Sequence, residues 1–222
     1  MLDTDPCVGK AKIKTKAMIV RISIAMDSLK KTIVGTSLDD GASESGTAFK
    51  LTGLGSADGY KNTHITTNNG PIWQAPGFTW NMTDGFKIGE AHTHLDGNAP
   101  SPSDVMHMAQ DLATVANSGV GVDYYKANVS TTVVTAYGNY VVTVKDWDAF
   151  LVAYQNYNNT PSTQYNAAYL ALGGEGNVAP GVRFLLKFGA FLNLYKSNPG
   201  SNDYTPLQLN NSNAVIDKPC NN

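Results

Sequence analysis

Residues 86–104 read Phe86-Lys87-Ile88-Gly89-Glu90-Ala91-His92-Thr93-His94-Leu95-Asp96-Gly97-Asn98-Ala99-Pro100-Ser101-Pro102-Ser103-Asp104. Phe86–His94 has the apolar and β-branched content of a strand, and Asp96–Pro100 has the composition of a turn. Val105, Met108, Ala109, Leu112, Val115 and Ala116 then recur at helical spacing until Asn117-Ser118-Gly119 stops the run. Alternate side chains of a strand share a face, so His92 and His94 project together. Asp104 falls in the first turn of the helix, where the dipole favours a carboxylate. Two imidazoles at a strand end and a carboxylate at a helix start are a three-ligand set for a divalent metal. Zinc suits those donors and leaves a fourth position for water.

The flanking sequence extends this strand–helix unit in both directions. Apolar residues at Ile13, Ala17, Val20 and Ile24 predict a helix over residues 8–34. A polar turn at Asp39–Ser43 leads into a strand over Glu44–Leu51, and a short strand is expected near Tyr60–Thr67. The two-proline segment 70–80 holds Trp73 and Trp80, which either pack over the core or wall a substrate groove. Downstream, Val129–Ala136 and Tyr140–Val144 flank Tyr137-Gly138-Asn139 as a hairpin, and Asp146 reads as the N-cap of a helix through Phe150, Leu151 and Tyr154. Helices are expected near Thr163–Leu172 and Pro180–Lys187, around a loop at Gly173–Asn177. A late hairpin, Ala190–Tyr195 with Thr205–Leu209, turns at Asn198-Pro199-Gly200. Strands interleaved with helices, without a linker or internal repeat, imply one α/β or α+β domain over residues 1–222.

Composition narrows the function. A net charge of -2 and a charged fraction of 15% lack the basic stripe of a nucleic-acid binder. No run reaches the ~18 apolar residues of a membrane span. The polar start Met1–Pro6 is not a signal peptide. The surface, rich in Asn, Thr, Ser, Tyr and Gly, fits an exported protein or part of one. The two cysteines, Cys7 and Cys220, are either a disulfide across the termini or two separate thiols.

Water activation at a metal needs a base and an oxyanion donor beside the ligands. Ser101 supplies a hydroxyl, with Ser103 the competing serine but better placed as a helix cap. The chain has three glutamates, Glu44, Glu90 and Glu175. Glu90 shares strand parity with His92 and His94, as a base or as a group orienting an imidazole. Glu44 heads a strand able to lie beside the histidine strand, and Glu175 reads as solvated. His107, one turn beyond Asp104, reads as a surface or packing residue, and His64 has no identifiable partner.

Glu44, then His92-Thr93-His94, then Ser101-Pro102-Ser103-Asp104 resembles the JAMM motif of JAB/MPN-type zinc metalloproteases, particularly their bacterial branch. The resemblance covers about residues 40–145, leaving the helix at 8–34 and a helical and hairpin extension over 146–222 without counterpart. It implies a curved mixed sheet flanked by helices and hydrolysis of a peptide or isopeptide amide. It also implies zinc on His92, His94 and Asp104, Glu44 as general acid/base, and Ser101 supporting the transition state. Leu95 stands where the family usually has proline, and the loop before Ser101 is one residue shorter than in many members. Two alternatives accompany this reading: a catalytically inactive binding module of the same fold, and an effector or toxin domain ending a larger secreted protein.

Overall fold

The computed structural model describes residues 5–33, 43–51, 60–62, 65–67, 86–95, 97–118, 121–160, 164, 167, 171, 190–212 and 214–220. Among them the chain forms helices α1 (Pro6–Ala17), α2 (Val20–Ile33), α3 (Pro102–Ser118), α4 (Val122–Asn128) and α5 (Trp147–Asn159). The strands are β1 (Ser45–Leu51), β2 (Tyr60–Asn62), β3 (Thr66–Thr67), β4 (Phe86–Thr93), β5 (Ser130–Thr135), β6 (Gly138–Val144), β7 (Leu192–Ser197), β8 (Tyr204–Leu209) and β9 (Val215–Asp217). They join in the order β2-β1-β4-β5-β6-β7-β8-β9, with β3 also on β1. Only β4 and β5 run parallel; the other pairings are antiparallel. The architecture is thus the single-domain α+β mixed sheet that the interleaved pattern implies.

A parallel pair cannot be closed by a tight turn, so the chain leaves the end of β4, builds α3 and α4, and returns to start β5. This crossover sets the N-terminus of α3 at the carboxyl end of β4. Val105, Met108, Ala109, Leu112 and Val115 bury the inner stripe of α3, whereas Ala116 is exposed. Tyr125 of α4 is fully buried and donates its hydroxyl to the Met108 carbonyl. Trp147 and Phe150 of α5 join the same core. On the other face of the sheet, Ile13 and Ala17 of α1 pack against Val141, Tyr195 and Tyr204. Leu29, at the centre of the buried stripe of α2, has no exposed surface.

Three features differ from expectation. The N-terminal helix is two helices, broken at Met18 and Ile19, with the Met18 amide closing the first on the Lys14 carbonyl. The region 60–67 contributes two short strands, both on β1. Helix α4 lies in a stretch that carried no helical reading; its seven residues give too short an apolar pattern. The expected late hairpin is present as β7 and β8, and it continues the sheet because β7 pairs with β6 along its full length. Among the described residues no helix is long and apolar enough to cross a membrane. His64, Trp73, Trp80, Glu175, the turn at Asp39–Ala42 and the helix at Pro180–Lys187 lie outside the described residues, as does all but three positions of the helix expected near Thr163–Leu172.

Cys7 and Cys220 form a disulfide, resolving that choice. It joins the start of α1 to the segment after β9, with a sequence separation of 213 residues.

Candidate metal centre

His92 and His94 sit at the end of β4 and point to the face covered by α3, as strand alternation requires. Both are buried, 3% and 8% exposed respectively, so neither is a solvated surface histidine. Their Nε2 atoms stand 3.2 Å apart. Asp104, in the first turn of α3, places Oδ1 3.5 Å from the Nε2 of His92 and Oδ2 3.4 Å from that of His94. Ligands bound to zinc at about 2.0–2.1 Å in a tetrahedron stand roughly 3.3 Å from one another. The two imidazole nitrogens stand at such a spacing, and each has one oxygen of the Asp104 carboxylate at a comparable distance. These residues form a buried group of ligand atoms, all within 4.8 Å of one another, able to hold a metal ion.

The surroundings fix the orientation. The Nδ1 of His94 lies 3.1 Å from the Asn98 carbonyl, where it can only donate, which leaves Nε2 as the nitrogen turned toward the centre. Gly97, in the same turn, has φ +77, and a Cβ there would come within 2.6 Å of the Tyr137 ring. The tip of the β5–β6 hairpin thus closes over the turn that presents this carbonyl. Neither contact was readable from spacing, because both join segments far apart in the chain or use main-chain atoms.

The Ser-x-x-Asp spacing proves to be a capping box. The Asp104 amide donates to Ser101 Oγ at 3.4 Å, and the Ser101 amide donates to Asp104 Oδ2 at 2.6 Å. Ser101, not Ser103, is therefore the helix cap. Ser103 is exposed and holds the Ser101 hydroxyl at 2.7 Å. Burial disfavours the charged Asp104 carboxylate, but the charges and hydrogen bonds of His92 and His94 more than offset it and hold the carboxyl well below its usual range. One carboxylate thus caps a helix and faces both imidazoles.

Glu44 arrives from far upstream. Gly46 pairs with His92 across β1 and β4, and the Ser45 amide donates to Thr93 Oγ1 at 2.9 Å. This register carries Glu44, the residue before β1, to the histidine end of β4. Its Oε1 is 3.9 Å from the Nε2 of His94, and its side chain is 14% exposed.

Glu90 shares the histidines' face, as its parity predicts, yet its oxygens are engaged elsewhere. The register of β4 against β1 skips Ile88, a bulge that brings Lys87 onto the face of Glu90. Lys87 Nζ lies 2.7 Å from Glu90 Oε2 and 2.7 Å from Asp111 Oδ2. His107 Nδ1 lies 3.4 Å from Glu90 Oε1. His107 is thus neither a plain surface residue nor one of the three grouped ligands, but a neighbour of Glu90. Burial disfavours the Glu90 anion, but the His107 hydrogen bond and the charges of Lys87, His107 and His92 lower its pKa to about 2.

No protein-family model, curated protein or solved structure matches the chain. The site has to be read from its own chemistry.

Proposed function

We propose that this protein is a zinc-dependent metallopeptidase of the JAMM type, hydrolysing a peptide or isopeptide amide bond in a peptide or protein substrate. The observation that carries the reading is the convergence of Glu44 on the triad, 3.9 Å from the His94 Nε2. A metal-binding group needs no such carboxylate; a water-activating one does. His92, His94 and Asp104 would hold zinc, and their mixed nitrogen and oxygen donors fit it. Zinc, when bound, would polarise the scissile carbonyl and make its water a nucleophile near neutral pH.

The chain's own groups do the rest. Glu44 accepts a proton from the attacking water and returns it to the leaving amine. Ser101 turns its hydroxyl proton toward the developing oxyanion, while its amide stays on Asp104 and keeps the helix start rigid. The Asn98 carbonyl holds His94 in one tautomer. Glu90 is a poor base, since a carboxylate with a pKa near 2 has little proton affinity at neutral pH. The Cys7–Cys220 disulfide supports an exported setting, where such bonds persist.

The test pairs metal content with turnover on a fluorogenic peptide library and a lysine-linked isopeptide. Native protein should carry one zinc per chain and cleave; Glu44→Gln should keep the zinc and lose about 10²–10⁴-fold in turnover. Undiminished cleavage by Glu44→Gln removes Glu44 as the base. Stoichiometric zinc without cleavage by native protein turns the reading to a binding module.

A further inference from the structure

A cavity lies on the other face of the sheet from the triad, at the starting end of β5, between α1, the end of α4 and β6. It encloses about 360 Å³. That is within the range of small-molecule sites and holds about a dozen non-hydrogen atoms at the packing of liquid water. Ile13, Ile19, Val129 and Val144 give it aliphatic walls. Among the described residues its charged lining residues are Lys12, Lys16 and Lys126, with no carboxylate.

Lys16 is the unusual member. Its Nζ donates to the Ile88 carbonyl at 3.1 Å, the Asn128 carbonyl at 3.0 Å and Ser130 Oγ at 2.8 Å. All three partners are uncharged oxygens, and one is the carbonyl of the last residue of α4, where the helix dipole favours a cation. They orient the ammonium without neutralising it, and burial lowers its pKa to about 7. A desolvated cation flanked by two further lysines and an aliphatic chamber is half of an ion pair whose other half has an apolar body.

We infer that this cavity is a binding site for a small organic monoanion, a carboxylate on a short apolar chain or ring. The Lys16 ammonium has donated its three hydrogens, so the carboxylate accepts the hydroxyl proton of Ser130, which Lys16 leaves free, and lies against the ammonium's charge; the apolar body lies against Ile13, Ile19, Val129 and Val144. The inference is independent of the metal centre and its chemistry.

Titration calorimetry of the full chain with octanoate and with octanol tests it, since the two share a chain and differ in charge. Octanoate should bind at one equivalent and at least tenfold more tightly than octanol. Lys16→Met, which keeps the aliphatic stem, should abolish that preference. Ala127→Trp, at an exposed lining position, should block both ligands while leaving Lys16 in place, so the inference stays testable if the lysine variant does not fold. Equal binding of octanoate and octanol overturns it, as does no binding of octanoate, or octanoate binding unaltered by Ala127→Trp.

Discussion

Asp104 caps α3 and, on the proposed reading, has the second duty of holding zinc; replacing it by alanine should separate the two. In metal-free protein, Asp104→Ala removes the acceptor for the Ser101 amide at 2.6 Å and the negative charge from the first turn of α3. A lost capping contact costs about 1 kcal/mol, and the lost helix-dipole interaction about 0.3–1 kcal/mol more. With a urea slope of about 2 kcal/mol per molar, the unfolding midpoint should fall by about 0.5–1 M. Zinc shows the second duty. Native protein in zinc at a hundred times its Kd should gain about 2.7 kcal/mol. Removing one of three ligands should weaken binding at least hundredfold, as loss of a mere outer partner already costs 10–100-fold. The zinc increment should then shrink to about 0.4 kcal/mol. The assay is urea unfolding of native protein, Asp104→Ala and Asp104→Asn, each with chelator and with matched free zinc. Asparagine retains a side-chain oxygen for the Ser101 amide, so its metal-free loss should be the smaller. An undiminished increment in Asp104→Ala would refute the ligand assignment. A metal-free loss above about 4 kcal/mol would show instead that the carboxylate is mainly structural.

Three further outcomes follow from the same geometry. Glu90 is held at a pKa of about 2 against 4.5 for an ordinary glutamate, so its stabilisation is complete above about pH 4.5 and lost as pH falls toward 2. That amounts to about 3 kcal/mol, and Glu90→Gln should flatten this part of the acid-unfolding curve; an unchanged curve would show that the contacts of Glu90 with His107 and Lys87 add no net stability. The Cys7–Cys220 disulfide closes a loop of 213 residues in sequence separation, so the double serine variant should lose up to about 5 kcal/mol in urea unfolding while keeping its zinc content. Thiol titration of the denatured, unreduced native chain should find no free cysteine; two titratable thiols would exclude the bond. Gly89 has φ +149, and a Cβ there would run into the Ser130 carbonyl, so Gly89→Ala should destabilise by about 2 kcal/mol or more and weaken zinc binding, read by denaturation and metal titration.

The parts of the fold legible in the sequence are those specified by local rules. Alternation put His92 and His94 on one face, and the apolar stripe of Val105 through Val115 predicted the helix that supplies Asp104. The turn composition around Gly138 and around Pro199 located both hairpins. The break at Met18 and Ile19 was hidden because the apolar stripe continues through it. The disulfide was undecidable because the pairing of two distant cysteines is a property of the folded chain. Spacing ranked Ser103 as the cap because it directly precedes Asp104 and the apolar run, and this ranking was reversed by the fold. The reciprocal contacts of Ser101 with Asp104 distinguish them.

The choice of base shows most clearly where strand parity stops being sufficient. Parity alone puts Glu90 beside the histidines and Lys87, three residues earlier, on the opposite face. The bulge at Ile88 and Gly89 reverses that second assignment: Lys50 pairs with Lys87, Ala48 with Glu90, and both lysine and glutamate face α3. Lys87 and His107 then take the Glu90 oxygens at 2.7 and 3.4 Å and keep the carboxylate ionised within its own cluster. Glu44 reaches the triad through a different long-range fact, the pairing of Gly46 with His92. Shifting β1 by one residue against β4 would turn the side chains of β1 to the other face and displace Glu44 along β4. The same strand pairing therefore occupies one candidate base and delivers the other, which is why turnover should depend on Glu44 far more steeply than on Glu90.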